Sequence, residues 1–166
     1  MNRIEIIENW VKIQLNQYFN MELASSDASF RRYFRISVEN KTYILMDAPP
    51  NLETIDNFIN VTKKLVFHGI NAPKIVSFDI KLGLILMSDF GNQTFLEVLD
   101  NNNAQELYTN AIDSLLNIQV KVDTKGLKDY SDKLLINEML LFYEWYLKKF
   151  KNYKLKDQEA LNEIFI

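Results

Sequence analysis

The 166-residue chain is 48% hydrophobic and 25% charged, the balance of a globular protein able to bury a core, and its net charge of −3 offers no basic field for nucleic acid or an anionic membrane. It has no cysteine, which removes disulfides and thiolate chemistry, and its one histidine, His68, excludes a histidine metal cluster. No apolar run approaches the ~20 residues of a transmembrane helix, and acidic Glu5 stands where a signal peptide would be apolar, so a cytoplasmic location without membrane or nucleic-acid partners is expected.

In chain order, Ile4, Ile7, Val11, Leu15 and Tyr18 fall on one stripe and predict an amphipathic first helix. The stretch from Leu23 to Arg35 follows. Its first half, Ser25-Ser26-Asp27-Ala28-Ser29, offers small residues with N–H and O–H donors that suit a phosphate, and Arg31, Arg32 and Arg35 come directly after. It lacks the glycines of a Walker or G-x-G-x-x-G loop, and the same residues also suit a polar loop before a solvated strand. Arg32 to Val38 alternates, with Phe34, Ile36 and Val38 on one face and Tyr33, Arg35 and Ser37 on the other. Glu39-Asn40-Lys41 reads as a hairpin turn, with asparagine the residue tolerant of positive φ. Thr42 to Asp47 is its partner strand, and Ala48-Pro49-Pro50 ends it.

Ile55, Phe58, Ile59, Thr62, Leu65 and Val66 predict the next helix, stopped at Gly69 with Pro73 just beyond. His68 reads as a helix-end residue. Lys74 to Asp79 and Leu84 to Ser88 predict a second hairpin. The apolar run Gly83 to Met87 then breaks into Ser88-Asp89-Phe90-Gly91, beyond which only helical periods occur. This change of composition suits a hinge beside a ligand cleft, though an ordinary last strand and turn would read the same way. Thr94 caps a short helix to about Asp100, a long helix runs from Ala104 to Gln119, and another from Asp132 to about Phe150 is apolar over more than one face, as in buried helices. A last helix is expected from about Lys156. The chain then closes on Ile164-Phe165-Ile166, an apolar end expected to meet a partner, to self-associate or to continue in a longer protein.

Several of these stretches resemble the aminoglycoside phosphotransferase family: Leu23 to Arg35, Tyr43-Ile44-Leu45-Met46-Asp47-Ala48-Pro49-Pro50, Gly69-Ile70-Asn71-Ala72-Pro73 and Leu86-Met87-Ser88-Asp89-Phe90-Gly91. Within it they are most similar to bacterial anomeric kinases of N-acetylmuramate and N-acetylglucosamine, whose F-x-E-W-Y-L helix resembles Phe142 to Leu147. The resemblance implies an α+β, protein-kinase-like fold: an antiparallel N-lobe over residues 1–88, a hinge at 89–93 and the first helices of an all-helical C-lobe over 94–166. It implies an ATP- and Mg2+-dependent sugar kinase with a role in cell-wall recycling, here a fragment, with ATP and a sugar-like acceptor as partners. The alternative is a kinase-like module that binds nucleotide or a partner without transferring phosphate.

Carried over by position, Ser25, Ser26, Asp27, Ala28 and Ser29 cover the ATP phosphates, Met46 takes the place of the third-strand lysine, and Met87, Ser88, Asp89 and Phe90 form the hinge that pairs with adenine. The lysine–glutamate pair that kinases use to hold the phosphates is missing, because the strand offers Met46 and the helix offers Phe58 or Asn60. Arg35, with Arg32 second, is expected to supply the charge. The string Asp89-Phe90-Gly91 is assigned to the hinge and not to magnesium, since no H-R-D-type loop precedes it. No catalytic residue or metal ligand is assigned within the chain; both are expected beyond Ile166.

Overall fold

The computed structural model describes residues 2–26 and 30–153. The chain forms two compact units, Met1–Asp123 and Thr124–Ile166. In the first, helix α1 (Arg3–Leu15) precedes strands β1 (Asn20–Ser26), β2 (Arg32–Val38) and β3 (Lys41–Asp47). Helix α2 (Asp56–Phe67), strands β4 (Ile75–Asp79) and β5 (Leu84–Ser88), and helices α3 (Phe95–Val98) and α4 (Ala104–Lys121) follow. The strands make one sheet in the order β1-β2-β3-β5-β4, and every neighbouring pair is antiparallel.

Alternation along the strands sends side chains into two separate layers. Phe34, Ile36, Val38, Leu45, Leu84 and Leu86 point to one face and bury Ile7, Trp10 and Val11 of α1. Met46, Ile85 and Met87 point to the other and pack with Ile55 and Ile59 beside α2. Tyr33, Ile44 and Phe58 border this second layer. Both faces of β3 and β5 are therefore covered, which explains why their sequences are continuous apolar runs.

Several local expectations shift. Helix α1 stops at Leu15 because Asn16 adopts a left-handed conformation (φ 48°), so Tyr18 leaves the stripe and is exposed. Strand β1 was not among the expected elements; it is an edge strand with a register shift between Leu23 and Ser25, and an edge strand needs no apolar face to declare itself. In the β2–β3 turn, Glu39 takes the positive φ (51°) rather than Asn40, since the first central position of a two-residue hairpin demands it. The end of α2 is as read: Gly69 has φ 74°, and Ile70 N–H donates to Leu65 C=O at 2.9 Å.

In the second unit, α5 (Asp132–Leu141) passes into a π-helix (Phe142–Phe150), where one continuous α-helix was expected. Phe142, Tyr146 and Phe150 stack along it at 5.2 and 5.7 Å. Among the described residues Tyr143 is the buried member of this π-helix, and Trp145 and Phe150 are exposed, so the expected burial between neighbours is not seen there. The expected helix near Lys156 and the apolar end Ile164–Ile166 lie outside the described residues.

Candidate nucleotide site

A cleft of about 460 Å³ opens on the α2 face of the sheet, within the size range of small-molecule sites. Ala24 and Ser25 of β1, Tyr33 and Arg35 of β2, and Ile44 of β3 line one side. Phe58 of α2 and the segment Met87-Ser88-Asp89-Phe90-Gly91 line the rest. The pleat accounts for this gathering. Tyr33 and Arg35 lie on the face opposite Phe34 and Ile36, and β5 leaves its ladder at Ser88, opposite Tyr43 of β3.

Arg35 ties the sheet to the residues after β5. Its Nε donates to Asp89 Oδ2 at 2.7 Å and its Nη2 to Asp89 Oδ1 at 3.2 Å. Nη1 reaches Asn92 Oδ1, and Nη2 also reaches the Gly91 carbonyl at 3.3 Å. The Gly91 N–H donates back to Asp89 Oδ1 at 2.8 Å. The Asp89 side chain is 3% exposed and that of Arg35 16%. The Arg35 guanidinium, against the opposing effect of burial and with help from the Gly91 N–H, holds the Asp89 carboxyl below its ordinary range. Asp89 is thus a fixed counter-ion at the cleft wall.

The other two arginines serve different carboxylates. Arg32 pairs in register with Asp47 and shares the α1 face, away from Tyr33 and Arg35. Its Nε and Nη2 donate to Asp47 Oδ2 at 3.1 and 2.5 Å, while Nε and Nη2 of Arg3 donate to Oδ1 at 2.9 and 2.5 Å. Arg3 Nη2 also reaches the Leu82 carbonyl at 2.6 Å. Asp47 itself is fully buried. Arg31 pairs with Glu53, which lies between the Pro49-Pro50 corner and α2.

Of the residues expected to touch nucleotide, the cleft gathers Ser25, Arg35, Met87, Ser88, Asp89 and Phe90. Arg32 is brought to Asp47 instead, and Met46 is fully buried in the layer with Ile85 and Ile59. Asp27, Ala28 and Ser29 lie outside the described residues, and Ser26 is described only as backbone of β1. Sequence reasoning missed the carboxylate partners. The Arg32–Asp47 pair was accessible, because a two-residue turn pairing Val38 with Lys41 places Arg32 opposite Asp47. The Arg31–Glu53 pair was not, because Glu53 lies in the segment before α2, where no strand register or helical period fixes its place.

Among the described residues no group of three or more His, Asp or Glu side chains could hold a metal ion. The carboxylate that lines the cleft, Asp89, is taken by Arg35. These residues do not supply a magnesium donor set. None of the described helices is long and apolar enough to cross a membrane.

An antiparallel five-stranded sheet flanked by helices, with a cleft at the exit of its β5 strand, is a protein-kinase-like arrangement. Residues 20–164 match the Phosphotransferase enzyme family, and the chain belongs to that family. It is 42% identical over 136 residues to the N-acetylmuramate/N-acetylglucosamine kinase of Pseudomonas aeruginosa, a match covering 81% of this chain and 40% of that protein. The namesake from Pseudomonas putida is 36% identical over 156 residues, covering 87% of this chain and 46% of that protein. The chain thus spans less than half the length of these curated relatives. The structure of the streptomycin–ATP–APH(2″)-IIa ternary complex superposes with a TM-score of 0.57 at 13% identity, over 96% of this chain and 55% of that one. That likeness fixes the fold.

Proposed function

We propose that the chain is the nucleotide-binding part of an ATP-dependent, cytoplasmic sugar kinase acting on N-acetylmuramate or N-acetylglucosamine. The single observation that carries the reading is the cleft itself. It combines apolar walls with a hinge segment pinned by an arginine, inside a chain of the phosphotransferase family. Tyr33, Ile44, Phe58 and Met87 provide faces for a purine, and the backbone of Ser88 to Phe90 provides its polar edge. Residues 1–88 act as the nucleotide lobe, 89–93 as its hinge, and 94–166 as the start of the acceptor lobe.

In the complete reaction the acceptor hydroxyl gives up its proton and takes the γ-phosphoryl group, and ADP leaves. The names of the two relatives support an amino sugar as the acceptor. The base that takes the proton and the ligands of magnesium lie, in this reading, in the half that the relatives have and this chain does not cover. Phosphoryl transfer depends on positioning and charge stabilisation, so this chain alone transfers nothing.

Calorimetric titration with adenosine and ATP tests the binding half of the proposal. Binding of adenosine in the micromolar-to-millimolar range supports it, and no binding of either ligand refutes it. An assay of ATP with N-acetylglucosamine or N-acetylmuramate tests the other half. Turnover above background that co-purifies with the 166-residue chain would overturn the placement of the catalytic groups elsewhere.

A further inference from the structure

We propose that Arg31, held in place by Glu53, is the cation that meets the nucleotide phosphates. This pair would take the role that a third-strand lysine and a helix glutamate share in other kinases. The inference rests on the nucleotide reading of the cleft given above. The third strand cannot supply the charge, because Met46 is fully buried between Ile85 and the residues flanking α2. That leaves the three arginines beside the Ser25 end of the cleft, and the sheet sorts them.

Arg32 is on the wrong face. It points to the α1 layer, where its Nε and Nη2 hold a fully buried carboxylate. Arg35 lines the cleft, but it is committed to Asp89, Gly91 and Asn92. Drawing it toward a phosphate would strand a carboxylate that is almost wholly buried, a costly exchange.

Arg31 is also paired, but its partner can hold it beside the cleft without withdrawing it. It stands one residue before β2, and its neighbours place it beside the cleft. Its guanidinium carbon lies 6.0 Å from the ring centre of Phe58, and its side chain hydrogen-bonds Tyr33; both neighbours line the cleft. Its carboxylate partner is presented by a built corner, in which the Glu53 and Leu52 N–H groups donate to the Pro49 carbonyl at 3.1 and 2.9 Å. Glu53 Oε1 accepts from Arg31 Nη2, and Glu53 Oε2 is buried with no hydrogen-bond partner among the described residues. The carboxylate therefore has one strong reason to keep the guanidinium where it is. A guanidinium fork carries five N–H donors, enough to serve a carboxylate and a phosphate oxygen at once, which an ammonium does less well.

The test uses the full 166-residue chain and three ligands: adenosine, ADP and ATP. The parent should bind ATP more tightly than adenosine. Arg31→Ala should weaken ATP by about ten-fold or more and leave adenosine within about two-fold, the loss expected for one charge-assisted contact. Arg31→Lys should fall between, and Glu53→Gln should weaken ATP less than Arg31→Ala does, again sparing adenosine. A thermal melt of each variant checks that it is folded, and Arg31→Lys carries the test if Arg31→Ala is not. ATP affinity unchanged in Arg31→Ala overturns the proposal, and so does an equal loss of adenosine. A parent that binds adenosine without preferring ATP overturns this proposal alone. A parent that binds none of the three overturns the nucleotide reading with it.

Discussion

The Arg3–Asp47–Arg32 cluster should respond to mutation in a strongly non-additive way. The perturbations are Arg3→Ala, Arg32→Ala and the pair together. Each arginine makes two donations to one oxygen of a carboxylate that is 0% exposed, while the arginine side chains are 25% and 40% exposed. A charge-assisted hydrogen bond contributes about 1.5–3 kcal/mol, and the partial exposure of the donors screens part of it. Losing one arginine should therefore cost about 1–2 kcal/mol, because the other still neutralises Asp47. Losing both leaves a buried charge uncompensated, which costs about 3–5 kcal/mol in all in a dry site. The double variant should exceed the sum of the singles by about 1–2 kcal/mol, within the range seen for residues sharing one partner. Adding Asp47→Leu to the double variant should recover much of the loss. Urea denaturation, read as a midpoint shift at constant m, measures all four chains. Additive single and double effects would refute the argument that one carboxylate couples the two arginines.

Three further outcomes follow from the same kind of reasoning. The folded-state pKa of Asp89 is lowered by Arg35, so below about pH 4 the unfolded chain binds more protons and the parent loses stability as pH falls; Arg35→Ala should flatten that slope in urea titrations from pH 3 to 7, and equal slopes would count against the ion pair. Gly83 has φ +66°, and an added Cβ would lie 1.9 Å from the Ala48 carbonyl oxygen, whose own N–H donates to Gly83 C=O at 2.9 Å; Gly83→Ala should cost at least about 2 kcal/mol in the same assay, and a neutral substitution would contradict the turn geometry. Leu115 and Val120 of α4 and Trp145 and Phe150 of the π-helix are exposed, so light scattering should show concentration-dependent association, and a monodisperse monomer at high concentration would refute it.

The sequence was most readable where one physical signal acted alone. Alternation in β2 correctly separated Phe34 and Ile36 from Tyr33 and Arg35, because that strand has one packed face and one half-open face. The stop of α2 at Gly69 was readable because only a residue tolerant of positive φ fits there. Strand β1 was not readable, since an exposed edge held by backbone pairing leaves no periodic trace in side chains. The π-helix was equally silent, because an i−5 bond such as Lys151 N–H to Tyr146 C=O requires no particular residue. The arginine-rich stretch was recognised as a charge source, but each partner came from elsewhere in the chain. Asp47, Glu53 and Asp89 sort three nearby cations to three different duties, and only folding brings those pairs together.

The anchoring of α1 also sets a timetable. Its Arg3 reaches Asp47, 44 residues later, and the Leu82 carbonyl, 79 residues later. At a synthesis rate of about 5–20 residues per second, roughly 4–16 seconds separate the appearance of Arg3 from that of Leu82. Through that interval the helix carries Ile7, Trp10 and Val11 with no completed sheet to cover them, since β5 supplies Leu84 and Leu86 last. The helix is therefore locked only long after it is made, once β5 has followed it. A nascent chain paused before Leu82 would hold Trp10 in water, and release of the pause would bury it, giving the order of assembly its own fluorescent clock.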